Sequence, residues 1–281
     1  MEVENQEKIF QPINIREVVK GKNPKLARRV PGFIYNWLER ILHLKEINQF
    51  MLEGGSALQG MDFINATIKF LNIKFELIGT ENIPKDGKYI FVGNHPLGGL
   101  DGVIILKYLN ENLGYSQTLS NDFLLEITPI KEFFVPINKV GSQSRDGANK
   151  VEDLYNSDHQ ILIFPAGLCS RKINGKIVDL QWQKHFIQKS VQHQRDVLPF
   201  YFDGRNSQFF YNLAKVRKFL KIKFNIEMMY LADEMFKHRN KTFKIYFGKP
   251  IPYSRFDHSK KPIEWAEVVK DEVYQLKTKT L

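Results

Sequence analysis

A chain of 281 residues with 43% hydrophobic content can bury one large α/β domain and carry a small helical appendage. Its 41 Lys and Arg outnumber 31 Asp and Glu, and the formal charge of +10 calls for an anionic partner: nucleic acid, an anionic membrane or an acidic carrier. The single cysteine, Cys169, excludes an intrachain disulfide and a paired-cysteine zinc site, and no apolar run approaches the roughly 18 residues of a spanning helix.

The polar, acidic start Met1-Glu2-Val3-Glu4 has no signal-peptide core, so a cytoplasmic protein with only peripheral membrane attachment is expected. Residues 1–30 read as a polar arm, basic between Arg16 and Arg29, with one short helix. From Pro31, residues Phe33, Ile34, Trp37, Leu38, Ile41 and Leu42 lay an apolar face at helical period. Phe63, Ile64, Thr67, Ile68, Phe70 and Leu71 repeat it after Gly54-Gly55. Residues 31–73 are therefore expected to form an amphipathic helical hairpin. It either packs on the main domain or lies at a membrane, and Trp and Phe beside Lys and Arg favour the membrane.

Residues 74–281 have the texture of an α/β domain. Strands are expected at Phe75–Gly79, Tyr89–Val92, Phe133–Val140, Gln160–Phe164, Val197–Phe202 and Phe243–Phe247. Helices are expected from about Gly102 and over Pro262–Lys277. The alternation predicts a mostly parallel or mixed sheet flanked by helices. No nucleophile elbow, phosphate loop, dinucleotide fingerprint or HExxH metal motif is present. The cations are spread along the chain without a recognisable nucleic-acid module, so nucleic acid is not an expected partner.

The richest segment is Gly93-Asn94-His95-Pro96-Leu97-Gly98-Gly99-Leu100-Asp101-Gly102. An apolar strand delivers a histidine into a glycine-rich loop, and an aspartate opens the next helix. Imidazole can take a proton from a hydroxyl near neutral pH, and a carboxylate on its other nitrogen fixes the tautomer. Asp101 also suits a helix N-cap, and both roles can coexist. Lys139, Arg171 and Arg205 each follow a predicted strand, where open α/β sheets place their sites. They would bind a carboxylate or phosphate, or stand as solvated loop cations. Ser207 can serve as a helix cap. Cys169 lies near Arg171, which would lower its pKa, but a general base at His95 needs no cysteine nucleophile.

The His95–Asp101 segment resembles the His–Asp block of the phospholipid/glycerol acyltransferase superfamily. Phe134-Val135-Pro136-Ile137-Asn138-Lys139, Phe164-Pro165-Ala166-Gly167, Val197-Leu198-Pro199-Phe200 and Phe247-Gly248-Lys249-Pro250-Ile251 resemble its later blocks, in order, over residues 75–252. The spacing from His95 to Asp101 is one residue longer than usual in that family. The third block departs further: Ala166 stands for Glu, Leu168 for Thr and Cys169 for Arg, with Ser170 kept and Arg171 one place later. These departures, with Asp203-Gly204-Arg205-Asn206-Ser207, resemble a divergent hemolysin-like branch that O-acylates lyso-ornithine or lyso-glycine lipids.

The resemblance implies transfer of a fatty acyl group from acyl carrier protein or a coenzyme A thioester to the hydroxyl of a lyso-aminolipid. No metal or bound cofactor is implied. The setting would be the inner face of the cytoplasmic membrane. His95 and Asp101 would be catalytic. Asn94, Gly98, Gly99, Lys139, Gly167, Ser170, Arg171 and Arg205 would bind substrate, with amides near Gly98, Gly99 or Gly167 holding the oxyanion. The alternatives are 1-acylglycerol-3-phosphate acylation and, in another class, a non-catalytic lipid-binding protein.

Overall fold

The computed structural model describes residues 10–120, 126–137, 145–222 and 224–279. Five helices precede the sheet: α1 (Ile15–Lys22), α2 (Pro24–Arg29), α3 (Gly32–Ile41), α4 (Leu44–Leu52) and α5 (Gly60–Phe70). The basic arm thus holds two short helices rather than one. Each starts at an asparagine, Asn14 or Asn23, whose side-chain oxygen accepts first-turn amides. The two apolar repeats are α3 and most of α5. They are not successive arms of a hairpin, because α4 and a 3-10 turn at Gly55–Ala57 come between them. α3 packs on α1 and α4, while α5 packs on α6 (Leu100–Asn112) of the main domain.

The sheet strands are β1 (Lys74–Ile78), β2 (Tyr89–Gly93), β3 (Ser116–Ser120), β4 (Phe134–Pro136), β5 (Gln160–Ile163), β8 (Asp196–Asp203) and β9 (Thr242–Phe247). β6 (Arg171–Ile173) and β7 (Lys176–Val178) form a separate antiparallel hairpin. The spatial order is β1-β9-β8-β2-β5-β3-β4. Every pairing is parallel except β8 with β9, which gives the mixed, mostly parallel sheet expected. β4 is shorter than the strand expected over Phe133–Val140. Phe133 belongs to the preceding 3-10 turn, Pro136 has no amide to extend the ladder, and residues 138–140 lie outside the described residues.

Side chains alternate across the central strands and feed two cores. Phe91, Leu162, Leu198, Phe200 and Phe202 face α5, α6 and α10 (Leu231–Lys237). Ile90, Val92, Ile161 and Val197 face α7 (Arg145–Asn156), α8 (His185–His193) and α11 (Pro262–Lys279). All five residues of β2 are buried, as a parallel strand covered on both faces requires. β2 is thus the rigid rod that carries the His95 loop.

The strand ends in a close approach. Gly93 pairs with Phe200 of β8, and a Cβ at Gly93 would fall inside the van der Waals envelope of the Phe200 ring. Gly93→Ala should therefore cost about 1–3 kcal/mol of stability in urea unfolding, as overpacking does. Phe200→Leu in the same chain should recover part of the loss, and additive losses would contradict this packing.

Candidate active site

Asn94, next after β2, continues the sheet with its side chain. Its amide donates to the Phe202 carbonyl at 2.9 Å and its oxygen accepts from the Phe202 amide at 2.7 Å. Both polar atoms of this buried residue serve β8, so Asn94 clamps the loop.

His95 is held at backbone and ring. Its amide donates to Asp179 Oδ1 at 3.3 Å, and its carbonyl accepts from the Ser170 amide at 2.8 Å. The imidazole stacks on Phe164, with centroids 4.0 Å apart and planes at 23°. Its Nδ1 lies 3.1 Å from Asp101 Oδ2, and 15% of the side chain is exposed. A proton on Nδ1 shared with the carboxylate leaves the Nε2 lone pair as the base. This tautomer is assigned from the carboxylate contact.

The extra residue between His95 and Asp101 is taken up by the glycine loop. Gly98 has φ +84°, a conformation that favours glycine, and a Cβ there would crowd Cys169 and Leu231. Gly99 takes the N-cap position of α6, so Asp101 lies inside the first turn and is not the cap. Asp101 is fully buried. Besides His95, it accepts from the amides of Leu97 at 2.9 Å, Gly98 at 3.4 Å and Gly102 at 2.9 Å. Burial works to raise its pKa. The His95 ring and the Leu97 and Gly102 amides outweigh that and hold the carboxyl below the usual range.

Behind the pair sits Asp179, which the sequence analysis did not single out. It is buried and accepts from the Ser170 hydroxyl at 2.6 Å and the Trp182 indole at 2.9 Å, as well as from His95. Its own amide donates to Tyr274 at 2.8 Å. Burial pushes its carboxyl up against these donors. Ser170 thus holds Asp179 with its hydroxyl and His95 with its amide. No local motif marks Asp179, which meets His95 across 84 residues of chain.

Arg171 faces inward. It is buried, donates to Cys169 and pairs with the buried Glu227 at 3.2 Å, under the Phe210 ring. Arg217 Nε lies 2.8 Å from the other Glu227 oxygen, an ion pair whose angle falls outside hydrogen-bond geometry. Arg171 therefore anchors structure. The Cys169 thiol is buried, and burial raises its pKa despite Arg171, which removes the expected activation. The Gly167 amide donates to the Phe164 carbonyl at 2.9 Å and is not open to an oxyanion. Lys139 lies outside the described residues.

Arg205 and Gly99 keep their expected availability. Arg205 is exposed, with no hydrogen bond or ion pair among the described residues. Its neighbours bring it to the catalytic loop. A Cβ at Gly204 would touch Leu97, and Asn206 donates to the Leu97 carbonyl at 3.5 Å. Asn206 is backed by His238, whose burial lowers its pKa to about 4. Gly99 is exposed, and open space surrounds the place of its missing side chain. A separate groove of about 500 Å³, lined by Lys249, Arg255 and Glu272 among others, contains none of these residues.

A family model described as "Acyltransferase" matches residues 17–280. The chain belongs to the acyltransferase family. This acyltransferase is 51% identical over 265 residues to a lyso-glycine lipid O-acyltransferase of Bacteroides thetaiotaomicron, covering 94% of this chain and 97% of that one. It is 48% identical over 268 residues to a protein of the same name from Phocaeicola vulgatus, covering 94% and 95%. The crystal structure of the 1-acyl-sn-glycerophosphate (LPA) acyltransferase PlsC of Thermotoga maritima aligns with a TM-score of 0.47 at 22% identity, over 91% of this acyltransferase and 83% of PlsC.

Asp101→Asn keeps the shape of the buried residue but removes the negative charge beside Nδ1. The kcat of the acyltransferase should fall by roughly 10³–10⁴-fold with KM little changed, the cost of an imidazolium left without its carboxylate. A loss under about tenfold in steady-state kinetics would remove Asp101 from catalysis.

Proposed function

We propose that this acyltransferase moves a fatty acyl group from a thioester carrier to the hydroxyl of a lyso-glycine lipid. The observation that carries the reading is the His95–Asp101 pair after the C-terminal end of β2, in a chain about half identical to two lyso-glycine lipid O-acyltransferases. His95 Nε2 takes the hydroxyl proton while the acceptor oxygen attacks the thioester carbonyl. The carbon–oxygen bond forms, the carbon–sulfur bond breaks, and the imidazolium returns its proton to the departing thiolate. Asp101 stabilises the imidazolium between the two transfers.

The Gly99 amide, at the positive end of α6, is the donor available for the oxyanion, because Leu97 and Gly98 give theirs to Asp101. Arg205 is the cation for the acceptor carboxylate. The ion pair between Arg171 and Glu227 leaves one fewer cation for a phosphate, which supports a carboxylate headgroup over lysophosphatidate. The acyl group arrives activated as a thioester of acyl carrier protein or coenzyme A, so the step balances without a metal or cofactor.

Among the described residues no helix is long and apolar enough to cross a membrane. The setting proposed is peripheral, on the inner face of the cytoplasmic membrane. The basic arm and the helices of residues 31–73 form the N-terminal part of the contact, and residues 74–281 form the catalytic domain.

Purified protein should be offered acyl carrier protein and coenzyme A thioesters with lyso-glycine lipid, lyso-ornithine lipid and lysophosphatidate. Product is expected on lyso-glycine lipid, with a loss of about 10²-fold or more in His95→Ala. Arg205→Ala should raise the acceptor KM by about tenfold or more, with Arg205→Lys in between, as expected for a charge-assisted contact. Product on lysophosphatidate alone would overturn the acceptor. Activity that survives His95→Ala would overturn the mechanism.

A further inference from the structure

Helix α9 (Gln208–Phe219) begins at the Arg205–Ser207 turn beside the catalytic loop and runs about 18 Å outward. Its first half belongs to the site wall. Phe210, Tyr211 and Ala214 are buried, and Phe210 covers Arg171. Its far end is different. Val216 is 52% exposed, Phe219 84%, Leu220 58% and Phe224 64%, and Ile222 is also exposed. Lys215, Lys218 and Lys221 are exposed among them.

This tip is built, not frayed. The Ile222 amide donates to the Arg217 carbonyl at 3.0 Å and the Lys221 amide to the Lys218 carbonyl at 3.1 Å, the paired bonds of a Schellman cap. Lys221 holds the left-handed position, φ 55°, that glycine usually takes. The residue after the cap, Ile222, is left 36% exposed. Arg217 donates to the Ile222 carbonyl at 3.1 Å and pairs with buried Glu227, which also holds Arg171. An ion network in the site wall thus fixes the angle of the tip. On the flank, Phe209 and Trp37 both pack against Tyr230, and exposed Phe33 lies one helical turn before Trp37.

We propose that Val216, Phe219, Leu220, Ile222 and Phe224 form a membrane-insertion tip that seats the enzyme on an anionic bilayer, with the site rim turned to the lipid surface. The proposal takes up the lipid acceptor argued above. A convex cluster of large apolar side chains ringed by lysines matches a bilayer boundary, where the rings enter the acyl region and the ammonium groups meet anionic headgroups. The net charge of +10 acts in the same direction. The α9 axis then links bilayer to active site, so an acceptor drawn from the membrane reaches Arg205 first and His95 next.

The test compares the full chain with Phe219→Ser/Leu220→Ser/Phe224→Ser and, separately, Lys218→Glu/Lys221→Glu. All five positions are exposed, so both variants should melt like the parent. Binding is read by co-sedimentation with phosphatidylethanolamine vesicles carrying about 30% phosphatidylglycerol, against pure phosphatidylcholine. Acyl transfer is read with the acceptor in those vesicles and in detergent micelles. Each variant should bind anionic vesicles at least about tenfold more weakly and lose vesicle transfer in step, with micelle transfer within about twofold of the parent.

Unchanged vesicle binding would overturn the proposal. So would intact binding with transfer lost equally in micelles when acyl carrier protein is the donor, since the tip would then be a carrier site. A parent dimer that the variants dissociate, with no vesicle binding by either form, would assign the tip to self-association. Absence of transfer by the parent in both formats would count against the enzyme reading alone, because vesicle binding reads the tip independently.

Discussion

The buried carboxylate of Asp101 organises both the base and the loop that presents it. A charge with no contact to water is costly, and it survives here because one imidazole and three amides converge on it. Those bonds also explain the long His95–Asp101 spacing. The added residue lets the chain turn through Gly98, so that Leu97 and Gly98 point their amides back at the carboxylate. The His95–Asp101 contact and the loop conformation are therefore one interaction seen from two sides.

Around that centre, several polar side chains are spent on holding backbone. Asn94 pairs with β8, Ser170 and Asp179 hold the His95 main chain, and Asn206 reaches Leu97. Arg171 and Glu227 do the same for the wall that carries α9. Arg205 and Gly99, by contrast, are exposed. The division of labour also places the departures of the third block in physical terms: a buried cation beside Cys169 has become part of the scaffold.

The sheet and the His95–Asp101 contact are legible where the pattern is local. β2 and β5 read as strands because burial on both faces demands continuous apolar runs. His95 and Asp101 stand in one short segment, with glycines between them to mark the loop. β3, Ser-Gln-Thr-Leu-Ser, carries no strand signal because its buried positions Ser116, Thr118 and Ser120 are polar, and the partner of Ser116 is Asn110 on α6. Asp179 and Glu227 carry no local signal because their partners are assembled by the fold across 84 and 56 residues. For Arg171 and Ser170, sequence position does not show that the side chains are buried.

The central claim is that Asp101 fixes His95 with its proton on Nδ1, leaving Nε2 as the base. Nitrogen-15 NMR of histidine-labelled protein at alkaline pH reads that tautomer directly. The expected result is an Nδ1-protonated His95 in the native chain that loses this preference in Asp101→Ala, where no acceptor faces Nδ1. An Nε2-protonated ring in the native chain, or a tautomer indifferent to Asp101→Ala, would contradict it.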